Sequence, residues 1–167
     1  AKIIVYDREG YGQYSKCALP YVIGGKEWRE IIEFPPEWFN RNKINYRNEE
    51  VYRIDFDGRI IEADREEDYD KLIIATGSMP ASPFEVQNAY FLHSLDDALT
   101  IRKAVKNAEN AIIVGAGLIG LEVAEALTKR ELRVKILEYM ASILPTMLDK
   151  DVADYVMKKI GVDIELN

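Results

Sequence analysis

The second half of the chain alternates short apolar runs with amphipathic stretches, a pattern typical of β-α-β units. Apolar residues from Ala111 to Val114 and from Leu132 to Leu137 predict two buried strands. Between them, the helical spacing of apolar residues predicts a helix from Leu118 to Lys129. This half is therefore predicted to form a parallel α/β sheet.

One further helix precedes this pattern and another follows it. Ser94 is a candidate N-cap for a helix that runs to about Asn107. Asp149 to Ile160 is predicted as an amphipathic helix with Gly161 as its C-cap, before a strand from Val162 to Leu166.

The first half is richer in strand-like runs. A strand is predicted over Lys2 to Tyr6, and a hairpin over Val51 to Phe56 and Arg59 to Ala63 because Asp57-Gly58 is a hairpin-turn signal. Lys71 to Ala75 is continuously apolar after its lysine, which predicts a strand buried in a sheet core.

Between these strands, Gly24 to Asn48 is the most loop-like segment, and its aromatic side chains are interpreted as ordinary packing. A boundary is predicted near Pro83 to Ser94. The predicted domains are therefore residues 1–93 and 94–167.

Amino-acid composition argues against some classes of function. The 167 residues carry a net charge of −7, which argues against binding to a phosphate backbone, so no nucleic-acid partner is predicted. The longest apolar run has 11 residues, shorter than the roughly 20 that a membrane span needs. Because the single cysteine cannot close an internal disulfide, a reducing cytoplasm is the predicted location.

The motif with the clearest chemistry is G-x-G-x-x-G, formed by Gly115, Gly117 and Gly120 directly after a predicted strand and at the start of a helix. The first glycine permits a tight turn, the second lets the backbone approach a pyrophosphate, and the third permits close helix packing. With the amides of Leu118 and Ile119 at the helix start, these residues predict a dinucleotide site. A purely structural βα turn is the alternative interpretation.

Two carboxylates accompany that motif. Glu138 ends the second strand 18 residues after Gly120, where it can bind both hydroxyls of an adenosine ribose and repel a 2′-phosphate, so NAD is predicted over NADP. Glu122 lies on the first turns of the helix, either near a nicotinamide or simply as a partner of the helix dipole.

Cys17 is the second candidate for chemistry. Pro20 is tolerated in a first helical turn, so a helix is predicted to begin around Ser15 to Ala18, with Lys16 beside the thiol. Both features favour a reactive thiolate. Composition alone favours the alternative, an inert buried cysteine.

Three ordered motifs carry a resemblance to a known family. They are Tyr14-Ser15-x-Cys17-Ala18-Leu19-Pro20-Tyr21, Tyr69 to Pro80 with its Ala75-Thr76-Gly77 turn, and Gly115 to Glu122. The chain resembles the pyridine nucleotide-disulfide oxidoreductases, in particular the single-cysteine branch of coenzyme A-disulfide reductases, NADH oxidases and NADH peroxidases. The implied fold is an incomplete FAD-binding Rossmann-like portion followed by the first half of an NAD-binding Rossmann domain.

The resemblance implies sites for both cofactors. Asp7 stands where the family usually has a glutamate on the FAD adenosine ribose, Val51 falls in the adenine-contacting segment, and Ala75-Thr76-Gly77 forms the turn that passes the FAD. Cys17 falls at the redox cysteine. No metal site is predicted.

The implied mechanism passes hydride from NADH to the flavin N5 and electrons from the flavin to Cys17. A disulfide, peroxide or oxygen is the implied acceptor, and the oxidised cysteine is a mixed disulfide with coenzyme A or a sulfenic acid. Gln13, Lys16 and Lys43 fall near the family's coenzyme A contacts, although solvated surface lysines are the common alternative.

The family pattern also leads us to expect an internal segment of a longer, homodimeric enzyme, because a first strand with its glycine-rich loop and a dimerisation domain would flank these residues. Two other functions stay open. One is a rubredoxin- or ferredoxin-type reductase in which Cys17 is passive, and the other is a nucleotide-binding module without chemistry.

Overall fold

The computed structural model describes residues 1–82 and 87–167, so residues 83–86 of the predicted boundary lie outside it. The chain divides into two compact units, residues 1–15 with 29–81 and residues 16–28 with 82–167. Residues 16–28 thus group with the second half of the chain. The assignment of 1–93 and 94–167 to two cofactor domains stays a prediction.

The elements of the described residues mix short strands with five helices. The strands are β1 (Ile3–Tyr6), β2 (Gln13–Tyr14), β3 (Ile32–Phe34), β4 (Ile44–Arg47), β5 (Arg53–Asp55), β6 (Ile60–Glu62), β7 (Glu66–Asp68), β8 (Asn110–Val114), β9 (Arg133–Glu138) and β10 (Asp163–Leu166). The helices are α1 (Leu19–Gly24), α2 (Pro36–Arg41), α3 (Leu95–Ala104), α4 (Leu118–Thr128) and α5 (Lys150–Ile160). Short 3₁₀ turns cover Lys16–Ala18, Trp28–Ile31 and Val105–Asn107.

The first unit contains three small sheets. Strand β1 pairs in parallel with β4, β2 pairs antiparallel with β3, and β5, β6 and β7 form an antiparallel sheet. The predicted hairpin is confirmed between β5 and β6. Its turn is held by Asp55, whose Oδ1 accepts hydrogen bonds from the backbone N–H groups of Asp57 and Gly58 at 3.0 and 2.9 Å.

The prediction of a buried strand over Lys71 to Ala75 is wrong. The segment has no strand assignment, and the side chains of Ile73 and Ile74 are 90% and 56% exposed. A strand forms only when a neighbour supplies ladder hydrogen bonds, and none of the described strands pairs with this segment.

The interpretation of Gly24 to Asn48 as a loop is also wrong, because β3, α2 and β4 lie within it. Pro36 is the first residue of α2, where its missing N–H costs nothing. The expectation of aromatic packing is confirmed for Trp38, whose ring centroid lies 4.4 Å from that of Phe34 and 5.3 Å from that of Phe39. Such short elements depend on partners distant in sequence, which a local pattern cannot show.

The second unit is built on a parallel sheet of order β10-β9-β8, which confirms the predicted α/β fold. One sheet face packs against α4 and α5 in a core that includes Ala124, Ile136 and Ala153. The expectation that Ala111 to Val114 is fully buried is wrong, because Ile112 and Val114 on the opposite face are 68% and 65% exposed. Helices cover only one face of the described sheet.

The helix ends follow the predicted signals. Ser94 caps α3 in a capping box, with its Oγ accepting the Asp97 N–H and the Asp97 carboxylate accepting the Ser94 N–H. Gly161 ends α5 in the left-handed conformation, with φ of 67°. None of the described helices is both long enough and apolar enough to cross a membrane.

Helix α1 packs against α3 and α4 within the second unit. Two arginines donate to carbonyl groups at or just after its C-terminal end: Arg130, two residues beyond α4, donates to Ile23 at 3.2 Å, and Arg102 of α3 donates to Lys26 at 3.2 Å. These bonds fix the short helix that follows Cys17.

Candidate functional site

The glycine-rich turn after β8 has the conformation that the motif predicts. Gly115 has a φ of 102°, and its N–H donates to the Leu137 carbonyl at 2.8 Å, which joins the turn to β9. A Cβ on Gly120 would lie 2.0 Å from the Gly115 carbonyl oxygen. Only glycine permits α4 to approach the turn this closely.

Gly117 differs from Gly120 because a Cβ there would meet no atom within 4 Å. It is the N-cap of α4, and no side chain caps this helix end. The N–H groups of the first turn, from Leu118, Ile119 and Gly120, have no acceptor within the helix. The turn therefore presents amide donors and a positive dipole end in open space, as a pyrophosphate requires.

Glu138 lies beside this turn, as predicted. Its Oε2 accepts the Ala116 N–H at 2.6 Å, and its Oε1 accepts the Met140 N–H at 2.8 Å. A carboxylate offers about four acceptor positions, so both oxygens can still receive ribose hydroxyls. The residues present therefore fit an adenine dinucleotide.

Sequence reasoning missed the part that Ala116 plays. This residue is fully buried, its N–H is bound by Glu138, and its carbonyl accepts the Leu144 N–H at 3.1 Å. Ala116 thus links the glycine turn to the strand and to the segment that follows it. The only sequence signal is its small size between Gly115 and Gly117.

Glu122 is exposed on α4, and no described hydrogen bond involves its side chain. Its placement leaves both interpretations open, and a role near a nicotinamide stays a prediction.

Cys17 lies in the 3₁₀ turn that precedes α1, with Pro20 in the first turn of that helix, close to the predicted helix start. Its thiol is free and the residue is exposed, as is the neighbouring Lys16. The expectation of burial in the alternative interpretation is therefore wrong, while the reactivity of the thiol stays a prediction. An exposed thiol at the start of a helix can reach a substrate.

Asp7 follows β1 in the first unit. Its Oδ1 accepts the Glu9 N–H at 3.0 Å, its Oδ2 accepts the Tyr46 hydroxyl, and its carbonyl accepts the Asn48 amide at 2.9 Å. Each carboxylate oxygen keeps acceptor capacity, so the residue fits the adenosine ribose of FAD.

The other residues of the predicted FAD site lie in the same unit. Val51 is half-buried just before β5. Ala75, Thr76 and Gly77 are exposed in irregular chain, and Gly77 has the positive φ of 70° that a turn requires. Their contact with a flavin stays a prediction.

The structure does not gather the three predicted coenzyme A contacts in one unit. Gln13 is exposed on β2 and donates to Glu33 at 3.1 Å, and Lys43 is exposed before β4 with a φ of 62°. Lys16 belongs to the second unit. Their shared role also stays a prediction.

An ion pair between a buried arginine and a partly exposed glutamate in the first unit was not predicted. Arg47, 6% exposed, donates to Glu67 at 2.9 Å and to the Tyr6 hydroxyl at 2.8 Å. The hydrogen bonds from Lys2 and Arg47 lower the pKa of Glu67 to about 2. Because a charged residue on a short strand usually faces solvent, the sequence offers no signal for this pair.

Comparisons with known proteins agree with this geometry. The sequence matches the family described as "Pyridine nucleotide-disulphide oxidoreductase" over residues 1–167. An NADH-dependent phenylglyoxylate dehydrogenase subunit epsilon from Aromatoleum evansii is 33% identical over 92% of the chain, and an NADH oxidase from Methanocaldococcus jannaschii is 31% identical over 99%. Among solved structures, the water-forming NADH oxidase from Lactobacillus brevis bound to NADH superposes with a TM-score of 0.90 at 26% identity over 99% of the chain.

The chain spans 38% and 41% of the lengths of these two curated relatives, and 41% of the matched chain in that structure. The family match itself extends over the whole sequence. The chain therefore belongs to the pyridine nucleotide-disulphide oxidoreductase family.

Proposed function

We propose that the intact protein is an FAD-dependent NADH oxidoreductase of the NADH oxidase or coenzyme A-disulfide reductase type, in which Cys17 is the redox-active residue. The observation that carries this proposal is the exposed thiol of Cys17 at the start of α1, in a chain of this family. An acceptor as large as a disulfide needs such an accessible sulfur.

NADH is the proposed electron donor. The amides at the start of α4 would bind its pyrophosphate, with Gly117 leaving room for the close approach. Glu138 would bind the adenosine ribose and disfavour the additional phosphate of NADPH. The carboxylate is already held by the N–H groups of Ala116 and Met140, so little ordering is needed on binding.

Asp7 is the proposed ligand of the FAD adenosine ribose, while Val51 would contact the adenine. Ala75, Thr76 and Gly77 would line the path of the cofactor. When bound, FAD supplies the two-electron relay between NADH and the thiol.

The chemistry of Cys17 follows from its exposure. Its thiolate would attack one sulfur of a disulfide, forming a new bond to that sulfur and releasing the other half as a thiolate. Two electrons and a proton then restore the Cys17 thiolate and release the second thiol. With a peroxide, the thiolate would attack one oxygen and break the O–O bond, becoming a sulfenic acid while the other half leaves as hydroxide or alkoxide and takes up a proton. Two electrons and two protons then return the sulfenic acid to the thiol and release water. Oxygen is the third acceptor that the proposal includes.

Coenzyme A is a proposed substrate moiety, with Gln13, Lys16 and Lys43 as its candidate contacts. The exposed lysine ammonium groups suit its phosphates. We also place the intact enzyme in the cytoplasm as a homodimer. The lone cysteine and the family resemblance support these two assignments.

A second candidate function is favoured by one observation. The 33% identical relative is named as a subunit of an NADH-dependent dehydrogenase, so a flavin that passes electrons to a partner protein is compatible with this chain. In that case Cys17 would be passive.

The variant Cys17→Ser of the intact flavoprotein separates the two functions. The proposal predicts loss of NADH-dependent disulfide or peroxide turnover, with reduction of the flavin by NADH retained as the internal control. The variant Ser15→Ala, two positions before Cys17 in the sequence, should keep full turnover. Undiminished disulfide and peroxide reduction by Cys17→Ser would contradict a redox role for the thiol.

A further inference from the structure

A three-member hydrogen-bond chain connects the loop after β1 with β4. The Gly12 N–H donates to the Tyr46 hydroxyl oxygen at 3.0 Å, and the Tyr46 hydroxyl donates to Oδ2 of Asp7. An amide N–H can only donate, and a phenol hydroxyl has one proton. The direction of the chain is therefore fixed, and it ends on the carboxylate.

The first two members are held in place by their surroundings. Tyr46 lies opposite Val5 in the parallel pair of β1 and β4, and its ring centroid is 5.2 Å from that of Phe39. Gly12 has a φ of 75°, and a Cβ there would lie 2.3 Å from the Phe34 carbonyl oxygen. The donor at the end of Tyr46 is thus preorganised.

The carboxylate is anchored through both oxygens, because Oδ1 of Asp7 accepts the Glu9 N–H at 3.0 Å. Burial, followed by the hydrogen bond to Asp7, raises the pKa of the Tyr46 phenol above its ordinary value. The phenol is therefore protonated at neutral pH and can donate to the carboxylate.

We propose that Tyr46 is a positioning residue for FAD, holding the Asp7 carboxylate in the orientation that receives the adenosine ribose hydroxyls. This inference rests on the proposed function. An aspartate has one methylene fewer than the glutamate expected at this position, so its reach depends on where its carboxylate is held. A second anchor from a neighbouring strand would fix that orientation before the cofactor arrives.

The test compares Tyr46→Phe with Tyr155→Phe, an exposed tyrosine of the second unit, in the intact flavoprotein after removal of its flavin. Quenching of flavin fluorescence gives the affinity for FAD and for FMN, which lacks the adenosine. We expect Tyr46→Phe to lower the affinity for FAD by about 10-fold, which is the contribution of one charge-assisted hydrogen bond. The affinity for FMN should be unchanged. Tyr155→Phe should change neither affinity.

Equal losses for FAD and FMN would show a role in folding alone and overturn the proposal, as would an unchanged FAD affinity. An FAD analogue with a 2′-deoxyadenosine gives a measurement that needs no variant. The unsubstituted protein should bind it about 10-fold more weakly than FAD, and equal binding would overturn the ribose contact of Asp7, and with it the role of Tyr46. If the unsubstituted protein binds no FAD at all, the proposed function itself fails.

Discussion

At the scale of single residues, the Glu138 carboxylate holds the local fold and is also the proposed ligand of the NADH ribose. Glu138 holds the glycine turn through the Ala116 N–H and the following segment through the Met140 N–H. Its remaining acceptor capacity is what the proposal assigns to the ribose. The proposed preference for NADH therefore depends on a residue that also holds the local fold.

Replacing Glu138 with glutamine tests that link. One carboxylate oxygen becomes an NH₂ group that cannot accept, and the negative charge is lost. We expect NADH affinity to fall by about 10-fold while NADPH affinity falls less, so that discrimination between the two narrows. Calorimetric titration of the intact protein with each nucleotide measures both values.

The matched control is Glu109→Gln, which removes an exposed carboxylate paired with Arg133. It should change neither affinity. An unaltered NADH-to-NADPH ratio in Glu138→Gln would contradict the proposed cofactor preference.

A second residue-scale prediction concerns pH. The pKa of Glu67 lies near 2, below its ordinary 4.5, because Lys2 and Arg47 donate to it. A depressed pKa means that the folded state favours the ionised form, so this stabilisation is complete above about pH 4.5 and is lost as the pH falls toward 2. Glu67→Gln should therefore lower the urea midpoint at pH 7, and the difference from the unsubstituted protein should shrink between pH 4.5 and 2.

Glu66→Gln, on the exposed neighbouring position of β7, provides the comparison and should leave the midpoint unchanged at both pH values. If Glu67→Gln lowers stability equally at pH 7 and at low pH, the ion pair with Arg47 is not the cause.

The local structure around single residues can be predicted where a sequence motif defines it. The conformation of the glycine turn can be predicted because each position in G-x-G-x-x-G has its own physical requirement, and the position of Glu138 beside it follows from its place at the end of the next strand. The contacts of Tyr46 and Arg47 could not be found, because they join β4 to residues about 40 and 20 positions away and no local pattern encodes such partners.

At the scale of elements, the turn between β8 and α4 contains one glycine that packing requires and another that is proposed to allow nucleotide binding. Gly120 is required for packing, since a Cβ would overlap the Gly115 carbonyl oxygen, whereas Gly117 borders open space. The two glycines therefore offer a matched pair of substitutions.

Gly120→Ala should destabilise the protein by about 3 kcal/mol, because backbone atoms must move to relieve the overlap. Gly117→Ala should change the unfolding free energy by no more than about 0.5 kcal/mol. It should nevertheless weaken NADH binding, because the added methyl group would obstruct the approach of the pyrophosphate. Denaturant unfolding and NADH titration of both variants measure the two effects. Full NADH affinity in Gly117→Ala would show that this surface does not hold the dinucleotide.

Element prediction succeeded where the signals are local and failed where they are not. Helix α3 has its cap at Ser94, and α5 ends at Gly161, as the sequence indicates. The segment from Lys71 to Ala75 has the amino-acid composition of a strand, but no described strand pairs with it. Strand β4 is short, and it forms because β1 pairs with it. Pairing across the chain, rather than propensity, decides both cases.

At the scale of the whole molecule, the glycine-rich turn and the exposed thiol of Cys17 lie in the second unit, and Asp7 lies in the first. The family match spans residues 1–167, whereas the chain covers about two fifths of its curated relatives. The proposed function requires that the intact protein stores electrons on Cys17 as well as on its flavin.

Anaerobic titration with NADH tests this claim most directly. If the resting enzyme holds Cys17 oxidised, full reduction should take about two equivalents of NADH per flavin, one for the flavin and one for the sulfur. Cys17→Ser should take about one equivalent. A requirement of about one equivalent for both proteins, measured after exposure of each to the disulfide substrate, would contradict the account.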